Sequence, residues 1–164
     1  MQQLASLEKS LAKTFEGLPR LPKGLVDWLV ENAWWLVVIG VVLGAFGTLV
    51  LLGVVFGGSL LIGALGGVVL GGVVFIGGII SLATLIATVV IEAMAIQPLK
   101  SRQKRGWDLL FLASLVAFAG SVVGAVISLK IGDILGPLVG VIIGLYVLFE
   151  LRGRYITKPA DKKA

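Results

Sequence analysis

From Asn32 to Ile91 the chain runs for 60 residues without an Asp, Glu, Lys or Arg. A soluble domain of 164 residues leaves much of its surface in water and uses charge to cover it, so a run of this length has no soluble fold to enter. Crossing a hydrocarbon core of about 30 Å takes roughly 20 apolar residues, and 60 therefore supply two membrane spans and a connection. Only 14% of the residues are charged, against about a quarter in soluble domains. The expected fold class is all-α integral membrane, with four transmembrane helices in a Gly-rich bundle and an N-terminal amphipathic helix.

Missing residue types narrow the chemistry. The chain has no His and no Cys, which removes zinc sites, haem and iron–sulfur ligation, thiol nucleophiles and disulfides. Its nine acids are scattered, without the dense alternation of a calcium loop. There is no G-x-S-x-G elbow, and no Ser-x-x-Lys lies beside a second catalytic signature. The expectation is a protein that is not an enzyme and needs no cofactor or metal.

Residues 1–23 form a cytoplasmic arm. Leu4, Leu7, Leu11, Phe15 and Leu18 recur at spacings of three and four, which places them on one side of a helix that lies on a membrane surface, packs on the protein's own cytoplasmic face or pairs with its copy in an oligomer. Pro19 and Pro22 then break it, since each removes an amide donor and restricts its predecessor. The transmembrane domain is expected over 24–152, with spans at about 33–55, 70–97, 107–129 and 134–151. Trp28, Trp34 and Trp35 mark the first interface, where indole rings favour the headgroup level, and Trp107 is expected to anchor the third span in the same way. A turn is expected at Gly57-Gly58-Ser59, and the segment 57–72 reads as helix or as irregular connection, with a helix that begins inside it preferred. Residues 153–164 form a basic tail. With four spans and both termini cytoplasmic, 13 of the 14 Lys and Arg lie inside and only Lys130 outside, as the positive-inside rule requires of a cell (inner) membrane protein.

Glycine provides the loudest pattern, with 23 residues and a four-residue rhythm. Gly40 and Gly44, Gly63, Gly67 and Gly71, Gly120 and Gly124, and Gly136, Gly140 and Gly144 are the expected helix-packing positions. Glycines four apart make a flat strip on which a second helix packs backbone to backbone. The strips either close the bundle of one protomer, or at least one serves a second copy or a partner membrane protein. A nucleotide site is not expected, because no strand precedes a glycine cluster.

Glu92 is the one acid placed within a span, and with Asp108 and Glu150 it is expected near the basic loop as an ion or pairing site. That loop contributes Lys100, Arg102, Lys104 and Arg105, and the end of the last span adds Arg152 and Arg154. These six are expected to grip anionic lipid headgroups, at roughly 1 kcal/mol each. Nucleic acid is not an expected partner, because no aromatic stacking platform or recognition fold accompanies the cluster.

The stretch from Ala93 through Pro98 and Gly106-Trp107-Asp108 to Phe111 resembles small uncharacterised multi-pass proteins of bacteria, in which a basic cytoplasmic loop leads into a Gly-Trp-Asp start of a span. It covers about an eighth of the chain and implies a bacterial membrane protein without transferring a functional residue. Two functions follow. One is a non-enzymatic membrane scaffold or subunit that associates through its Gly-rich faces; the alternative is a small oligomeric ion or proton transporter or channel using Glu92.

Overall fold

The computed structural model describes residues 2–15, 17, 19–128 and 135–156. The expected loop at Lys130 to Asp133 and the basic tail beyond 156 lie outside them. Every element among the described residues is helical: α1 (Gln2–Phe15), α2 (Lys23–Gly53), α3 (Ser59–Gly66), α4 (Val68–Lys100), α5 (Lys104–Ser128) and α6 (Leu135–Ile156). Three stretches are long and apolar enough to cross a membrane, namely Lys23–Gly66, Val68–Lys100 and Lys104–Ile127.

The turn expected at Gly57-Gly58-Ser59 is not formed. One π-helical turn, Val54–Gly58, carries α2 directly into α3, so the first apolar helix is 44 residues long, about 66 Å at 1.5 Å per residue. An amide left unbonded in an apolar medium costs several kcal/mol, so even a Gly-Gly pair stays helical there. The chain reverses instead at Gly67, whose φ of 91° belongs to glycine alone among common residues. Its N–H donates to the Gly63 carbonyl and its own carbonyl accepts from Gly71, so the reversal leaves both amides satisfied.

Contacts along this hairpin run in antiparallel order, with Gly40 beside Glu92, Gly44 beside Val89, Gly78 beside Val55 and Gly71 beside Gly63. The next reversal is at 101–103. Helix α4 runs on past Gln97, where Pro98 was expected to end it, as far as Lys100. A proline in the last turn removes just one intrahelical bond. Arg102 then takes φ 51° and donates its N–H to the Leu99 carbonyl at 2.9 Å, while Gln103 donates to Pro98 at 2.8 Å. Gly106 lies so close to Leu99 that a Cβ would stand 2.7 Å from its backbone nitrogen, and α5 folds straight back along α4.

The buried core gathers at the end where these basic turns lie. Val26 and Val30 of α2, Ala95 and Leu99 of α4, Trp107 and Phe111 of α5, and Leu148 and Tyr155 of α6 form one cluster. The opposite end is bare: Leu65 is 90% exposed and Val68 87%. Gly77 faces Ile127 near the end of α5, so α3 and the first turns of α4 run on past it by about ten residues, roughly 15 Å.

Candidate helix-packing faces and a cleft at Glu92

The glycine positions divide into two kinds. A Cβ at Gly120 would overlap the Thr84 side chain, one at Gly44 would stand 2.5 Å from Val89 Cγ2, and one at Gly71 would stand 2.6 Å from Gly63 Cα. These glycines hold the α2–α3–α4–α5 hairpins at backbone contact. Gly40 and Gly124 sit in ordinary contact with Glu92 and Ser81. Gly67 packs against nothing and is the reversal itself. Gly136, Gly140 and Gly144 of α6 have no neighbouring atom within 4 Å of an added Cβ, so this strip packs against no part of its own protomer among the described residues.

Helix geometry explains the open strip. Residues four apart advance by about 40° around an α-helix, because 3.6 make a turn. The row 136–140–144–148 therefore winds from an open face into the core, where Leu148 is buried and its carbonyl accepts a hydrogen bond from Trp107 Nε1 at 2.6 Å. Trp107 is not an interfacial anchor. It is fully buried, stacked on Phe111 at 5.3 Å and edge-on to Phe149, which in turn stacks on Phe15 of the arm.

Of the three arrangements open to the arm, the structure has α1 packed on the bundle. Glu8 is buried there and pairs with Arg152 at 2.7 Å and Lys104 at 3.7 Å. Lys104 also holds Asp108 at 2.9 Å, Arg154 pairs with Asp27, and Lys100 lies 5.2 Å over the Trp34 ring. Arg102 and Arg154 share a polar cleft with Asp27 and Glu31, a surface of mixed sign. Beside it, burial raises the Tyr155 phenol above its ordinary pKa, with the Arg102 charge opposing. Lys100, Lys104, Arg152 and Arg154 thus already have partners within the chain. Glu150 and Arg105 form no ion pair among the described residues.

Glu92 also forms no ion pair or hydrogen bond among the described residues, and neither Asp108 nor Glu150 lines the cleft it faces. It lines an open cleft of about 330 Å³ with Ala33, Val37, Ser114, Gly144 and Leu148, drawn from four helices. One helical turn further along α4 and α5 a groove of about 720 Å³ begins, and its polar residues are Ser81, Thr84, Thr88 and Ser121.

All five hydroxyls of cleft and groove are bonded in one way. Ser81, Thr84, Thr88 and Ser121 each donate to the carbonyl four residues back at 2.9 Å, and Ser114 does so at 3.0 Å. Their protons are used within their own helices, so the oxygens offer lone pairs alone. No group of three or more potential metal ligands occurs among the described residues. No family model matches the chain, and neither the curated proteins nor the solved structures contain a match to it.

Proposed function

We propose that the chain is a non-enzymatic, multi-pass membrane scaffold or subunit that associates through the glycine strip of α6 with a second copy of itself or a partner membrane protein. The observation that carries this reading is the open face at Gly136 and Gly140. Small residues four apart on an otherwise apolar helix gain nothing from lipid, since acyl chains pack on leucine as well as on glycine, whereas a second helix gains close dispersion contact. The 15 Å apolar overhang of the α3–α4 hairpin supports the same reading, because a neighbouring chain keeps such a surface from water.

In this reading α6 is a fourth span, both termini are cytoplasmic, and the chain sits in the inner membrane of a bacterium. Arg102 and Arg105, which form no ion pair among the described residues, face anionic headgroups. Single cysteines at Ser10, Ser101 and Gly132 test the topology. An impermeant reagent applied from outside labels position 132 alone; labelling at 101 contradicts it. The association is tested by the mass of the nanodisc-embedded protein with whatever co-purifies. The unmodified chain gives a complex larger than one protomer, and Gly140→Leu gives the protomer mass. An unchanged mass in the variant sinks the proposal.

A further inference from the structure

The cleft at Glu92 has a lining that no packing role explains. A carboxylate in a membrane-level cleft is costly unless paired, hydrated or neutralised, and such residues are functional more often than structural. Here the pairing is missing although basic residues are abundant at the same end of the fold. The residues of α2, α5 and α6 that line the cleft include no titratable group, so Glu92 is its single charge among the described residues.

The five hydroxyls add a sign to this. A neutral hydroxyl normally serves donors and acceptors alike, but Ser81, Thr84, Thr88, Ser114 and Ser121 have each committed the proton to a carbonyl of their own helix. Cleft and groove together therefore present acceptor oxygens and one carboxylate, without a matching set of donors. An anion meets repulsion there and a neutral acceptor finds no partner. The remaining wall is apolar, from Leu36 and Val147 at the cleft to Leu85 and Ile127 along the groove. Sites of a few hundred Å³ with apolar walls and a few placed polar groups are the usual form of small-molecule pockets.

We propose that this cleft and groove bind an amphiphilic monovalent cation, with the charge held at Glu92 and the apolar body laid along α4 and α5. The ligand class is an organic ammonium or phosphonium that reaches the site through the lipid. Gly144 leaves room for it: the glycine lines the cleft, and no atom of the described residues lies within 4 Å of a Cβ added there. The proposal concerns ligand binding and stands independently of whether α6 assembles with another chain.

The test uses the full chain in nanodiscs of zwitterionic lipid, with tetraphenylphosphonium and the equally bulky anion tetraphenylborate as probes. Uptake by protein-free nanodiscs is subtracted. The phosphonium binds saturably and the borate does not. Glu92→Gln weakens phosphonium binding roughly tenfold or more, as loss of a charge-assisted contact does, while Glu92→Asp retains it. A readout on the unmodified chain keeps the test independent of variant folding. A hydrophobic carbodiimide modifies Glu92, and phosphonium slows that modification while borate does not. Equal binding of both probes, binding unchanged by Glu92→Gln, absence of saturable phosphonium binding or absence of protection would each overturn the proposal.

Discussion

Helices α5 and α6 carry the same glycine rhythm and meet opposite fates. Gly120 of α5 is pressed into Thr84 and Gly124 touches Ser81, so α4 and α5 lie at backbone contact; at Gly136 and Gly140 of α6 no atom of the described residues lies within 4 Å of an added Cβ. The difference comes from what fixes each helix. A three-residue connection forces α5 back along α4 from its first turn, and contact persists to its far end. Helix α6 is held at its C-terminal end, by Leu145, Leu148, Leu151 and Tyr155 in the core and by the Trp107 hydrogen bond. From there its glycine row winds away from the bundle. A glycine repeat alone therefore does not say which partner it serves; the fixed end of the helix decides that.

The strongest way to break this comparison is to remove the clamp that sets α6. Trp107→Ala empties a fully buried site, leaves the Leu148 carbonyl without its donor and removes two ring contacts. It is expected to destabilise the protomer by about 3–5 kcal/mol, read by unfolding in mixed micelles. A cost near that of an exposed substitution would mean that α6 is not pinned there. A sharper contrast comes from one change made twice. Gly120→Leu forces a bulky side chain into Thr84 and is expected to cost about 1–3 kcal/mol. Gly140→Leu meets open space and is expected to alter protomer unfolding by less than about 0.5 kcal/mol, its effect appearing in association instead. Equal destabilisation by the two would place α6 against the bundle along its full length.

The helical content, and helices long and apolar enough to cross a membrane, were legible because 60 uncharged residues admit few folds. The position of the first reversal was not. Gly57-Gly58-Ser59 and Gly66-Gly67 are similar as letters, and what separates them is that Gly67 takes a positive φ while the earlier pair is absorbed into a π-helical turn around buried Val55. Trp107 followed a basic loop and read as an interfacial ring, because its partners Phe149 and Leu148 lie some 40 residues away in sequence. The acids were visible as residues but their pairing was not. Glu8, assigned to the arm, is the carboxylate that Arg152 and Lys104 hold, whereas Glu92 forms no pair among the described residues. Spacing carries one more signal. Ser81, Thr84, Thr88 and Glu92 recur at three and four residues on α4, which places them on one face, and Ser114 and Ser121 lie seven apart on α5.

The account's central claim is that the open strip of α6 contacts another chain, and intermolecular cross-linking at single cysteines reads that contact directly in the membrane. The chain is Cys-free, so Gly136→Cys, Gly140→Cys and Ile142→Cys each introduce one thiol, the last on an exposed face away from the strip. Under mild oxidation or with a short bifunctional reagent, positions 136 and 140 are expected to give a higher-mass adduct, a dimer or a chain joined to a partner, in much greater yield than position 142. Equal yields at all three positions, or no adduct at 136 and 140, would contradict the claim.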